Sequence, residues 1–455
     1  MRYCLGASVL AATAASLLFL NACGNTKGSG TIGATPKIKH VVIIFQENRT
    51  PDNLFQDPVL ITRSADIAQS GIDSKGNVIP LAPGPLANSY DNGHTHHDFL
   101  VMYDNGKMDG ADRVTSCKAG SKNCPPHPQF IYVQTSDVQP YFQMAEQYTF
   151  ADRMFQTNQG PSLPAHQYII SGTSAPAAAS NLFEAENEVI PNGGVGTGCL
   201  APPNAFVRLI DPMGNENQTM YPCLEHPTLM DLLKPKNITW RYYAISPGTI
   251  WTAPSSIQHM CGPNNPPPNA TACLGSDFNN VIFPQSAVLN DIAAGRLADV
   301  SWVTPDGADS DHAGTNQGRG PSWVAAIVNA IGTSPYWQDT AILITWDDWG
   351  GWYDHVAPSI INSYEYGFRV PLIVVSPYAK PGHISHVTHD FGSILKFVEQ
   401  TYGLPSLGYA DTRADDLSDC FNFQQPPIVF KTIAAPVGAS YFLNRTNPPV
   451  DPDDE

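Results

Sequence analysis

Three features of the sequence predict an α/β fold with a mostly parallel central sheet and helices on both faces. Four short stretches, HVVIIFQ (40–46), DVSWVTP (299–305), AILITWD (341–347) and VPLIVVSP (370–377), are apolar or β-branched runs bounded by turn residues. Near-continuous hydrophobic strands of this kind are buried on both faces. Helical patterns at 138–148, 164–171, 287–297, 322–331 and 391–402 alternate with them, as βαβ units require. Finally, 455 residues suffice for a large core, while 41 Pro and 36 Gly predict many ordered, irregular loops.

At the N-terminus, MRYCLGASVLAATAASLLFLNACG has Arg2 as its single charge ahead of a small-residue and leucine-rich stretch, which predicts a signal peptide over residues 1–22. The closing LNAC resembles a bacterial lipobox, in which Cys23 is lipidated and residues 23–37 form a flexible tether. The expected location is therefore the exterior, either the cell envelope through a lipid anchor or the secreted fraction. A single folded domain is expected over 38–443, followed by an acidic, disordered tail at 444–455. Export places the remaining cysteines in an oxidising compartment. Short loops make Cys117–Cys124, Cys199–Cys223 and Cys261–Cys273 the natural pairs, with Cys420 left over, although six cysteines permit other connectivities. The segment from about 175 to 285, rich in Pro, Asn and Cys and without sustained periodicity, reads as a disulfide-stapled, loop-rich insertion forming a cap or rim. Against 24 Lys+Arg stand 41 Asp+Glu, a formal charge of −17 with no long basic run, which argues against nucleic acid as a partner.

Ligands of open parallel α/β sheets bind beyond the carboxyl ends of the strands. On that rule the polar residues that follow the strands share one rim: Glu47 and Asn48, His312 in PDGADSDH, and Asp347, Asp348 and His355 in WDDWGGWYDH. Adjacent aspartates repel unless a counter-charge joins them. Either Asp347 or Asp348 caps a turn before Gly350-Gly351, or the pair, with Glu47 and the Asn48 amide, forms an oxygen-rich site for one divalent metal ion. Ca, Mg or Mn are favoured by such ligands. Arg49 can clamp an anionic substrate or pair with one of these carboxylates. Ser162, in QGPSLPAH, is either a helix cap or a nucleophile at a helix N-terminus suited to phosphate. Of the three histidines in NGHTHH, one at most is expected to be functional.

Several motifs then match one family together. HVVIIFQENRTPDNLF, NGKMDG, ADRMFQTNQGPSLPAHQYIISGTS, SDHAGTNQGRGPSWVAAIVNAIG, TAILITWDDWGGWYDHV and GFRVPLIVVSPYAKPG resemble, in collinear order from Lys37 to Phe421, the bacterial phosphoesterase family of acid phosphatases and phospholipases C. That family has an alkaline-phosphatase-like superfold. The resemblance implies that Ser162 is a transiently phosphorylated nucleophile and that Glu47, Asn48, Asp347, Asp348 and the Ser162 oxygen hold the metal. His94 and His312 would line the phosphate pocket, with His355 carried over as a further catalytic histidine. The implied substrate is a small phosphate ester or a phospholipid. Larger phospholipases C of the family continue into further C-terminal domains, whereas this sequence ends soon after ADDLSDCFNF and so resembles the shorter, phosphatase-like members. Other readings are a phospholipase C with Trp346, Trp349, Trp352 and Tyr353 caging a choline group, or an inactive surface binding lipoprotein. A sulfatase fits poorly, because SLPAH has Pro164 but His166 where that signature needs arginine.

Overall fold

The computed structural model describes residues 37–117, 124–191, 193–314 and 316–445. The expected signal peptide, Cys23 with its expected tether up to residue 36, and residues 446–455 of the expected tail lie outside the described residues. Of that tail, 444–445 are described, and Arg445 pairs with Asp306 and Asp309 at 2.7 and 2.5 Å, so the ordered chain extends past 443. Among the described residues, eight strands form the central sheet: β1 (His40–Gln46), β2 (Thr149–Ala151), β3 (Trp240–Tyr243), β4 (Val281–Ile282), β5 (Val300–Val303), β6 (Thr340–Trp346), β7 (Leu372–Val375) and β8 (His383–Ser385). Their order across the sheet is β4-β3-β5-β1-β6-β7-β2-β8. Every neighbouring pair is parallel except the two made by β7, which runs antiparallel to both β6 and β2. The sheet is therefore mostly parallel, as the continuous apolar runs predict.

Direction in β7 follows from the loop before it. The chain leaves β6 at the rim where the polar residues collect, stays there through residues 347–371, and enters β7 from that same side. Its end accordingly points away from the rim.

Six helices matter for the site: α1 (His96–Tyr103), α2 (Thr135–Gln147), α3 (Ser162–Ser171), α4 (Ala287–Ala293), α5 (Gly320–Gly332) and α6 (Phe391–Tyr402). They cover both faces, because side chains alternate along a strand. Phe45 packs on one face against His166 of α3 and Phe391 of α6, with ring centroids 6.2 and 5.9 Å away. On the other face, Trp346, the register partner of Gln46, packs edge-on against Tyr141 of α2 at 5.1 Å. All seven residues of β6, and all but the first of β1, are buried.

The region expected to be a cap has two roles. It contains a small antiparallel sheet of Phe183–Glu184, Val207–Ile210 and Gln218–Met220. It also supplies β3 and β4 to the central sheet, so the segment is not wholly an excursion from it. The sequence signal was weak there because Trp240-Arg241-Tyr242-Tyr243 is a four-residue aromatic strand, without the aliphatic run that marks the other strands. Disulfides join Cys117–Cys124, Cys199–Cys223 and Cys261–Cys273, and Cys420 is free and buried, as the spacing predicts.

β1 and β6 pair in register along their full length, and the pairing continues past both ends. Asp347 N–H donates to the Gln46 carbonyl at 3.0 Å, Asn48 N–H to Asp347 Oδ1 at 3.0 Å, and Arg49 N–H to the Asp348 carbonyl at 3.0 Å. Asn48 adopts a left-handed conformation, φ 62°, which asparagine tolerates better than most residues. Gly350 lies directly against it: a Cβ added there would fall 2.5 Å from both the Asn48 Cβ and its carbonyl oxygen, at a φ of +59°. Gly350→Ala should therefore destabilise the fold by about 1–3 kcal/mol, read as a lower urea midpoint. An unchanged midpoint would mean that the turn has room the structure does not show.

Candidate active site

Continuation of the β1–β6 ladder brings Glu47, Asn48, Asp347 and Asp348 together at one end of the sheet, all at 0% exposure. α3 completes the group. Pro161, not Ser162, is the N-cap of that helix; Ser162 is its first residue and makes no capping bond. Its hydroxyl instead donates to Asp348 Oδ2 at 3.2 Å. The helix N-terminus is served from elsewhere, since the Leu163 N–H donates to Asn187 Oδ1 at 2.9 Å. One turn further on, His166 lies on the same helix face as Ser162. Its Nε2 is 3.4 Å from Glu47 Oε1 and 3.8 Å from Asp347 Oδ2.

Several of these atoms are buried without a hydrogen-bond partner: both carboxylate oxygens of Glu47, Asn48 Oδ1, Asp347 Oδ2 and both ring nitrogens of His166. Such groups are costly to leave unsatisfied in a protein interior. Burial, with the charges of Asp347 and Asp348, pushes the Glu47 carboxyl well above the ordinary range. Burial and the neighbouring Asp347 do the same to Asp348. Burial also lowers His166 to about 4, the Asp347 charge opposing it, so the ring is neutral near pH 7. A cluster of carboxylates, a free amide oxygen and a neutral imidazole fits a bound cation, and Glu47, His166 and Asp347 converge closely enough to hold one.

His94 orients one of these donors. Its Nδ1 lies 2.8 Å from the Asn92 carbonyl and so carries the proton, leaving Nε2 as an acceptor 3.0 Å from Asn48 Nδ2. Only the amide nitrogen can donate there, which turns Asn48 Oδ1 towards the carboxylates. The His312 ring is 6.1 Å from that of His94, and its Nδ1 is likewise held by a carbonyl, that of Ala313, at 2.7 Å. Trp251, from the insertion, packs 6.0 Å from His312. Ser162 itself is 1% exposed.

A model described as the Phosphoesterase family matches residues 38–405. The chain belongs to the Phosphoesterase family. Among its relatives, a non-hemolytic phospholipase C of Pseudomonas aeruginosa is 24% identical over 87% of this chain and 58% of its own length. Phospholipase C B of Mycobacterium tuberculosis is 23% identical over 87% of this chain and 80% of its own. This phosphoesterase thus spans little more than half the length of the Pseudomonas relative. A solved structure of a protein in the alkaline phosphatase superfamily from Vibrio parahaemolyticus aligns with 83% of this chain and 70% of its own, at 11% identity and a TM-score of 0.36.

Two residues expected at the site of this phosphoesterase have other occupations. Arg49, the expected substrate clamp, is 1% exposed and committed to the fold. Nε and Nη2 donate to the Asp311 carbonyl at 2.9 and 2.7 Å, Nη1 to Asn53 Oδ1 at 3.2 Å, and Trp352 covers the guanidinium at 4.8 Å. Both ring nitrogens of His355 are also engaged, Nδ1 with Asp52 at 2.7 Å and Nε2 with Asp66 at 3.0 Å. Asp52 and Asp354 converge on His355, but Arg369 lies between them, 2.8 Å from Asp354 and 3.2 Å from Asp52, and supplies the positive charge. The tryptophans are packed: Trp346 Nε1 donates to Asp311 Oδ2 at 2.9 Å, and Trp349 Nε1 to Met102 Sδ at 3.2 Å. None of these side chains forms an open cage.

His166 is not among the residues that the sequence pattern singles out, yet it faces Glu47 and Asp347 in this site. Its signal was present, as a histidine four residues after Ser162 on a predicted helix.

His355 yields a pH prediction. Burial works to lower its pKa, but the hydrogen bond and charge of Asp52, with Asp354, raise it to about 9. Its unfolded value is about 6.5. The protonated ring therefore stabilises the fold fully below pH ~6.5, and that stabilisation is lost as pH rises through about 9. His355→Gln should lower the melting temperature most at pH 6, with the gap to the parent closing above pH 9. A gap independent of pH would show that the ring contributes by packing alone.

Proposed function

We propose that this protein hydrolyses phosphate esters through a phosphoserine formed at Ser162. The observation that carries the reading is the Ser162 hydroxyl itself, which is released from capping and held 3.2 Å from Asp348 at the start of α3. A divalent cation bound among Glu47, Asn48, Asp347 and Asp348 would supply positive charge that favours the serine alkoxide and offsets charge on the phosphoryl oxygens. Ser162 Oγ, giving its proton to Asp348, bonds to phosphorus as the bond to the leaving alcohol breaks. His312 Nε2 gives the alcohol its proton. Water then attacks the phosphoserine, its oxygen bonding to phosphorus as the bond to Ser162 Oγ breaks; one water proton goes to His312 and the other stays on the phosphate, while Asp348 returns to Ser162 the proton it took. His94 keeps the Asn48 amide oxygen aimed into the site.

A small phosphate ester, as for an acid phosphatase, suits the enclosed site best, since Ser162 is 1% exposed. The names of the relatives favour a second reading, a phospholipase C acting on phospholipid head groups. Parallel assays on an aryl phosphate and on phosphatidylcholine vesicles decide between them. Ser162→Ala should cut turnover of the preferred substrate by at least about a thousandfold and leave metal content unchanged. Asp347→Ala should lower metal content. Retained turnover in the first variant removes the serine route, and full metal content in the second returns the aspartates to the turn.

Export is part of the same proposal, supported by the N-terminal leader pattern and by three disulfides. Cys23→Ser should move the protein from the membrane fraction to the soluble one. An unchanged partition would mean that no lipid is attached there.

A further inference from the structure

The oxygen-rich composition of the site points to a hard cation, yet one of its converging donors is a nitrogen. His166 is wholly buried on α3, one turn from Ser162, with Nε2 3.4 Å from Glu47 Oε1 and 3.8 Å from Asp347 Oδ2. A histidine kept for structure would donate a well-aligned N–H to a carboxylate or a carbonyl. This ring does neither, and the two carboxylate oxygens facing it are equally without partners. Three unpartnered donors in one buried place have a simple common explanation. Two ligands of a tetrahedral ion with bonds of roughly 2.1 Å stand about 3.4 Å apart, close to the spacing observed.

We propose that His166 Nε2 ligates the same cation as Glu47 and Asp347, so that the centre takes a divalent transition ion that accepts imidazole, such as Zn²⁺, in preference to Ca²⁺ or Mg²⁺. This rests on the reading of the cluster as a metal centre and narrows it. Imidazole binds zinc and its neighbours well, whereas calcium and magnesium take oxygen ligands almost exclusively. One nitrogen donor among the carboxylates therefore penalises the alkaline earths.

The test uses the full chain, stripped by chelation and reloaded. Equilibrium dialysis with elemental analysis should show one bound ion, with Zn²⁺ held at least about a hundredfold more tightly than Ca²⁺ or Mg²⁺. His166→Gln should lose about tenfold or more of its Zn²⁺ affinity while its Ca²⁺ and Mg²⁺ affinities stay within about threefold. Pulsed electron paramagnetic resonance of the Mn²⁺-loaded parent should show a directly coordinated ¹⁴N that disappears in His166→Gln and persists in His94→Gln. A parent that binds no ion defeats the metal-centre reading itself. A parent that binds one ion without a coordinated nitrogen, or a His166→Gln protein with unchanged selectivity, overturns the assignment of His166 alone. The parent spectrum is decisive even if the variant fails to fold.

Discussion

The site depends on the in-register pairing of the first strand with Thr340–Trp346, carried past both strand ends by three further hydrogen bonds. A parallel pair normally diverges where its ladder stops. Here the Asp347 carboxylate accepts the next backbone N–H, so the chains stay together long enough to bring Glu47, Asn48, Asp347 and Asp348 side by side. The cost is concentrated like charge out of contact with water, which interiors tolerate only with compensation. Raised carboxyl pKa values and unpartnered oxygens are two expressions of that single constraint.

Around this pair, the residues with the largest charges serve mostly as scaffold. Arg49 follows the putting-together of the strand ends and reaches the carbonyl of Asp311, which fixes the loop that carries His312. The Asp311 carboxylate is tied to Tyr141 of α2 and to Trp346 of the paired strand. One hub thus sets both the end of β1 and the position of His312. Arg369 does comparable work among Asp52, Asp354 and His355. Guanidinium groups suit this use because their rigid fork satisfies several acceptors at once.

Much of this was legible from pattern. The strands at 40–46 and 341–347 are near-continuous apolar runs with little alternative as secondary structure, and Glu47, Asn48, Asp347 and Asp348, which follow them in sequence, lie together and buried at one end of the sheet. β3 was missed because four aromatic-rich residues in a loop-rich region carry no periodicity. The direction of β7 was not readable either, since an apolar run has no arrow and only the course of the preceding loop decides it. Arg49 and His355 looked functional by proximity in sequence, yet proximity along the chain does not say which way a side chain turns.

Legible in the sequence alone were the fold class, the short-loop disulfide pairs as the natural choice among several connectivities, the polar residues that follow the strands, and the family. Those are local or collinear properties, written in spacing and hydrophobicity. Tertiary structure decided which polar groups remain uncommitted: the Ser162 hydroxyl turned to Asp348, the Asn48 oxygen aimed by His94, and His166 brought from another element to face two carboxylates. Commitment depends on every neighbour competing for the same hydrogen bonds. Those neighbours are separated by 46 to 299 residues along the chain and meet only when the sheet has formed.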